Sequence, residues 1–230
     1  MRKTFDQQLA QLGEELTHMG ELCQTAIASA ALALKNQDTE LAAQAIAADA
    51  EIDQAERDIE RLCLKLLLQQ QPVARDLRQI SSALKMITDM ERIGDQAADI
   101  SEIVTYTAKC PLPLELHHIG AMAQATCAMV DHSVEAYVGR DLTLARKVIE
   151  ADDQVDALFD AVKSELIALI RENPARGQEA LDFLMIAKYF ERIGDHATNI
   201  AEWVEFSILG LHPEQGTDIP VEHRPGPSQR

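Results

Sequence analysis

Two stretches of this chain place a glutamate and an aspartate four residues apart around a glycine. They are Met-Glu-Arg-Ile-Gly-Asp-Gln-Ala-Ala-Asp-Ile at 90–100 and Phe-Glu-Arg-Ile-Gly-Asp-His-Ala-Thr-Asn-Ile at 190–200, identical at seven of eleven positions. On a helix, residues four apart stack on one face. Glu91, Asp95, Asp99 and Glu102 therefore form one acidic stripe, and Glu191, Asp195, Asn199 and Glu202 repeat it. Upstream of each lies a second stripe: Asp49, Asp53, Glu56 and Glu60 in the first half, Asp152, Asp156 and Asp160 in the second. Like charges at this spacing repel by up to about 0.5 kcal/mol per pair. Two such stripes on neighbouring helices make an oxygen-rich strip able to chelate or bridge Mg²⁺, Mn²⁺, Fe or Zn²⁺. A solvated acidic face is the plainer reading of one such motif. Its recurrence at matching places in two halves brings the cation reading level with it. Spacing alone leaves open whether the two stripes of a half face the same side.

Other residues in these stretches read as structural. Gly94 and Gly194 fall on the apolar seam, where a mid-helix glycine costs about 1 kcal/mol against alanine, so a neighbouring helix should approach closely there. Arg92 and Arg192 are placed to pair with the surrounding acids. Glu15/His18 and Glu115/His118 have the E-x-x-H spacing of di-iron bundles, where it accompanies further glutamates in a four-helix core, but here each lies on one of three helices and a glycine follows within two residues. Trp203, the sole tryptophan, reads as core or interface packing.

The elements that must carry the stripes are helices. Leu41, Ala45, Ala48, Ile52, Ala55, Ile59, Leu62 and Leu66 alternate in steps of four and three, a heptad seam. Ile80, Ala83, Ile87, Met90, Gly94, Ala97, Ser101 and Val104 form another. Prolines punctuate the pattern at 72, 111, 113 and 174 and crowd the tail from 213. Asn36–Asp38 and Gly139–Asp141 are turn-and-cap signals. The expected helices are near 3–35, 38–70, 74–107, 113–138, 141–171 and 176–209. Glu-Leu-Thr-His-Met-Gly at 15–20 matches Glu-Leu-His-His-Ile-Gly at 115–120, and 38–53 matches 141–156. The fold class is therefore all-α: two tandem three-helix bundles related by an internal, pseudo-twofold repeat, at 1–108 and 113–210, with a disordered tail at 211–230. A single six-helix bundle is the alternative.

Composition sets the setting. The net charge of −17 argues against nucleic acid and anionic membrane as main partners and suits cations or a basic protein surface. Cys23, Cys63, Cys110 and Cys127 include no C-x-x-C pair, and Cys23 and Cys63 lie in apolar helical runs, the pattern of free buried thiols in a reducing compartment. The amino-terminal stretch holds no apolar run of signal-peptide or membrane-span length. A cytoplasmic protein with no direct membrane insertion is expected.

Taken together, the doubled E-R-I-G-D-x-A-x-x-I motif, the preceding D-x-x-x-D pairs and the segment at 70–95 (Gln-Gln-Pro-Val-Ala-Arg-Asp-Leu-Arg through Glu-Arg-Ile-Gly-Asp) resemble the PhoU family of phosphate-transport accessory and regulatory proteins. The resemblance covers about residues 3–209. It implies tandem three-helix bundles, often dimeric, with multinuclear metal sites at the paired motifs. It implies a first site of Asp49, Asp53, Glu91 and Asp95 with Asp99 near. The second would hold Asp152, Asp156, Glu191 and Asp195 with Asn199 near. The Asp99/Asn199 difference would leave the second site the weaker binder. The metal would be Fe, Zn, Mn or Mg. His18 and His118 stay outside these sites. As partners the resemblance implies the ATPase subunit of the phosphate ABC transporter and a sensor histidine kinase. Its implied role is to restrain the phosphate-starvation response.

No Ser-His-Asp or Cys-His set and no phosphate-cradling glycine loop is present in the sequence, so a non-enzymatic regulator is expected. The rival readings are a carboxylate-bridged metal oxidase using the E-x-x-H pairs and a metal-free helical adaptor.

Overall fold

The computed structural model of the chain describes residues 2–70, 72, 74–107 and 117–211. Its elements are α1 (Arg2–Asn36), α2 (Thr39–Gln70), α3 (Ala74–Thr107), α4 (His117–Gly139), α5 (Leu142–Glu172), a 3₁₀ turn at Pro174–Arg176, and α6 (Gly177–Leu209). The described helices follow the sequence pattern closely. The 3₁₀ turn, with the Asn173 side chain accepting from the Ala175 amide at 3.2 Å, was not anticipated. The expected tail beyond 211, the junction at 108–116 with Cys110, Pro111, Pro113 and Glu115, and the start of α4 before 117 lie outside the described residues.

The turns after α1 and α4 are built alike. Asp38 N donates to Ala33 O at 3.0 Å and Gln37 N to Leu34 O at 3.3 Å; Asp141 and Arg140 repeat this against Ala136 and Tyr137. These are Schellman endings whose left-handed position holds Gln37 or Arg140, each at φ 53°. Asp38 and Asp141 then cap the next helix, each accepting two backbone amides at 2.9–3.0 Å. Five residues of local chemistry thus reverse the chain twice in the same way.

Among the described residues, helix α2 packs only on α1 and α3, and α5 only on α4, α6 and the 3₁₀ turn. Helices α1, α3, α6 and α4 close a ring in that order, and the most extensive pairing in the molecule is α3 against α6. Each half is a three-helix bundle, and the halves join through α3–α6 and α1–α4. Arg78 lies against Gly210, and Asp99 reaches Tyr189, so α3 and α6 run antiparallel, as a pseudo-twofold axis perpendicular to both would relate them. One continuous apolar core spans both halves. Every residue of the α3 seam is buried, whereas the α2 seam buries Ala45, Ile52, Ile59 and Leu66 fully and the rest in part. α3 is covered on several sides, and α2 lies on the outside.

Candidate metal-binding strips

The four stripes pair as two strips, one between α2 and α3 and one between α5 and α6. Asp49 is the pivot of the first. Its carboxyl is pushed up to about 6, first by burial and then by the charges of Asp95, Asp53, Glu91 and Asp99. Asp152 is its counterpart, pushed up to about 6 by burial and by Asp195, Asp156, Glu191 and Asp153. Glu91 and Glu56 are raised by burial and then by neighbouring acids, and Asp195 by burial and Glu191. Each strip thus holds carboxylates close enough to oppose one another's ionisation.

The seam glycines explain how α2 and α5 come so near. A Cβ at Gly94 would sit 2.6 Å from Asp49 Oδ1 and 2.9 Å from Ile52 Cδ1. At Gly194 it would meet Asp152 Oδ1 at 3.2 Å and Val155 at 3.4 Å. The close approach expected at these glycines is present, and the group that approaches is the carboxylate itself. Asp49 Oδ1 is buried there without a hydrogen-bond partner. Such an orphaned acceptor fits a proton or a cation. The donor set is all oxygen, which suits Mg²⁺, Mn²⁺ or Fe better than Zn²⁺ with its preference for nitrogen and sulfur. Among the described residues no three His, Cys, Asp or Glu side chains already converge as a metal cage. The strips are open rows of donors.

Two residues of the expected sets go elsewhere. Tyr189 on α6 hydrogen-bonds to Asp99, and Asn199 Nδ2 donates to Asp89 Oδ1 at 3.0 Å, beside His196 Nδ1 at 2.9 Å from the same oxygen. Asp99 and Asn199 therefore span the α3–α6 junction in a reciprocal pair related by the pseudo-twofold axis. Four residues advance a helix by more than a full turn, so the stripe drifts from one neighbour toward the next. Asp99 still adds its charge to the field at Asp49. The Asp/Asn difference is explained at the junction: a tyrosine hydroxyl faces the aspartate, and an aspartate faces the asparagine.

The strips also differ in ways spacing did not reveal. Glu56 and Glu60 of the first correspond to Phe159 and Lys163 of the second. Lys188, where the first half has Thr88, bonds Glu191 at 2.5 Å and lies 5.6 Å from the Phe159 ring centroid. Asp160 is exposed and pairs with Lys163 at 2.7 Å. The first strip has two close cations of its own: Arg92, at 2.9 Å from Asp95 and 3.4 Å from Glu91, and Arg57, at 3.4 Å from Asp53. Arg192 bears on Asp99 across the junction. A buried carboxylate that sequence reasoning missed, Glu205, accepts two Arg146 bonds at 2.9 and 2.8 Å. No local pattern announces it, because its partner is 59 residues away on α5.

Neither histidine of the E-x-x-H spacing joins a strip. His18 is exposed, 4.0 Å from Glu21. His118 pairs with Glu165 at 2.6 Å, nine residues, or about 13 Å, along α5 from Asp156. Trp203 is half-buried on the core, edge-on to Phe206 at 5.8 Å. Cys23 and Cys63 are buried free thiols, each pushed up to about 12 by burial.

The PhoU domain model matches twice, over residues 16–104 and 119–204, one match per bundle. The chain belongs to the PhoU family. The phosphate-specific transport system accessory protein PhoU homolog of Clostridium acetobutylicum is 36% identical over 91% of this chain and 96% of that protein. The homolog of the same name from Aquifex aeolicus is 39% identical over 80% of this chain and 84% of that one. The crystal structure of PhoU from Pseudomonas aeruginosa superposes with a TM-score of 0.84 at 31% identity, covering 90% of this chain and all of that one. The phosphate transport system regulatory protein PhoU from Streptococcus pneumoniae does so at 0.82 and 26%. The two domain matches fall one on each bundle, and each contains one copy of Glu-Arg-Ile-Gly-Asp.

Proposed function

We propose that this chain is a non-enzymatic, cytoplasmic regulator of phosphate uptake. It couples the ATPase subunit of the phosphate ABC transporter to a sensor histidine kinase and restrains the starvation response when phosphate is plentiful. The observation that carries this reading is the two-fold PhoU-domain match, with relatives named as phosphate-transport accessory and regulatory proteins over nearly their full length. None of the described helices is long and apolar enough to cross a membrane, which agrees with a partner that docks to the transporter from outside the bilayer. The working form is a homodimer.

The strips are proposed to hold metal ions, the first at Asp49, Asp53, Glu91 and Asp95 and the second at Asp152, Asp156, Glu191 and Asp195. A bound cation would offset the burial and the mutual repulsion that raise Asp49 and Asp152. The chain's own part is to align the carboxylates and let α2 and α5 close on Gly94 and Gly194. With Glu56 in place of Phe159 and no counterpart of Lys188, the first strip is the stronger of the two.

Deleting the gene should switch on high-affinity phosphate uptake in phosphate-rich medium, and the intact chain should switch it off again. Normal repression in the deletion strain refutes the regulatory reading. Asp95→Asn with Asp195→Asn should lower bound metal while the helical circular dichroism is unchanged. Equal metal content in both proteins leaves the metal-free adaptor as the answer.

A further inference from the structure

Three arginines gather at one end of this acidic molecule. Arg75 and Arg78 lie on the first turns of α3, and Arg140 is the left-handed residue of the α4–α5 turn. Tyr137 Oη donates to Gln79 O at 2.8 Å and Arg140 Nη1 reaches Gln79 Oε1 at 3.5 Å, so the end of α4 is held against this part of α3. The Arg78 guanidinium lies under the end of α6: a Cβ on Gly210 would be 3.3 Å from its Cζ. Its Nε is buried with no hydrogen-bond partner. The Arg140 guanidinium is held below its ordinary value by burial and then by Arg75 and Arg78, with Tyr137 and Asp76 acting against them.

None of these three arginines has an ion pair among the described residues, whereas Arg57, Arg61, Arg92, Arg146 and Arg176 each face a carboxylate. In a chain of net charge −17, counter-charges are plentiful, so this cluster stands out. The repeat shows that the fold does not require it. The corresponding junction at the other end of the molecule has Ala175 for Arg75, Gln178 for Arg78 and Gln37 for Arg140. Gln37 makes the same Schellman turn at the same φ of 53°. Backbone geometry therefore explains the turn and leaves the arginines unexplained.

Exposed leucines lie beside them, and so does Asp76. Leu77, between Arg75 and Arg78, is 43% exposed, and Leu209 and Leu211, flanking Gly210, are 47% and 65% exposed. We propose that this end of the molecule, Arg75, Arg78 and Arg140 with Leu77, Leu209 and Leu211, docks an acidic, leucine-bearing segment of a protein partner. Guanidinium forks match carboxylates, and the leucines supply apolar contact between them. An anionic bilayer would meet the same patch, but the charge of the whole chain repels it. The inference stands apart from the phosphate reading, since it needs only the patch.

The test uses the full chain and a fluorescein-labelled amphipathic peptide of about 14 residues with glutamate and leucine on one face. Controls are the same peptide with glutamine for glutamate, and vesicles with about 30% anionic phospholipid. Anisotropy should show saturable binding of the acidic peptide, weakening as salt rises. Arg75→Gln/Arg78→Gln/Arg140→Asn should weaken it by about tenfold or more. Because Arg78 also packs under α6, the double variant Arg75→Gln/Arg140→Asn is measured beside it, with thermal unfolding as the folding control, and should lose about half of that effect on a logarithmic scale or more. The proposal is overturned if the acidic peptide does not bind saturably, if the glutamine peptide binds as well, or if both variants bind like the parent chain. It is also overturned if vesicles, rather than the peptide, are captured through these arginines.

Discussion

Replacing Gly94 by alanine tests the link between helix packing and the candidate metal strip. Alanine in a helix interior gains about 1 kcal/mol of propensity over glycine. At Gly94 the new methyl would lie 2.6 Å from Asp49 Oδ1 and 2.9 Å from Ile52 Cδ1, so the carboxylate must swing away and the isoleucine must yield. Overpacking of this kind costs about 1–3 kcal/mol, for a net loss of about 0–2. At Gly194 the nearest atoms are 3.2 and 3.4 Å away, a fit that shifts of a few tenths of an ångström relieve. There the propensity gain survives, and Gly194→Ala should be neutral or stabilise by up to about 1 kcal/mol. The two variants should therefore differ by up to about 3 kcal/mol, or up to about 6–12 °C in Tm for a chain of this size. Thermal circular dichroism measures this directly. The same Gly94→Ala variant displaces Asp49 and should lower metal binding at the first strip, read by titration calorimetry, more than Gly194→Ala does at the second. If Gly94→Ala stabilises as much as Gly194→Ala, then α2 does not rest on that glycine and the geometry of the strip is wrong.

The charge of the strip gives a second expectation. A carboxyl raised to about 6 in the folded chain binds its proton more tightly there than when unfolded, so it opposes folding as pH climbs from its unfolded value through about 6. In metal-free protein Asp49→Asn should stabilise the fold at about pH 7.5 by about 1 kcal/mol after allowance for solvent screening, seen as a rise in Tm, and should gain nothing below about pH 4; a Tm gain that is the same at both pH values contradicts a carboxyl raised by burial and by its acidic neighbours. At the α3–α6 junction, Asn199→Asp sets a second carboxylate against Asp89, losing the 3.0 Å bond, and should cost about 1–3 kcal/mol in neutral urea unfolding and much less at about pH 3. Arg146→Met leaves the Glu205 carboxylate, only 12% exposed, without its two bonds. That should cost about 2–3 kcal/mol, and adding Glu205→Gln should recover part of it; additive losses in the double variant would mean that the pair does not interact.

What the sequence determined by itself is everything carried by neighbours in the chain. Helix periodicity, proline punctuation and the aspartate caps at 38 and 141 act over three to five residues, so the described helices and their two matching turns could be read directly. The duplication was legible because both copies are written in the same order, and the stripes because residues four apart share a face. Tertiary structure decided which face meets which helix. The drift of the stripe carries Asp99 and Asn199 out to partners 90 and 110 residues away. Lys188 and Phe159 enter the second strip because α5 and α6 close over Gly194. Glu205 finds Arg146, and Arg75, Arg78 and Arg140 assemble from one helix and a turn. None of these pairings leaves a trace in local spacing. A helix presents polar residues on several sides, and only the packing of six helices around one core selects the side that each one faces.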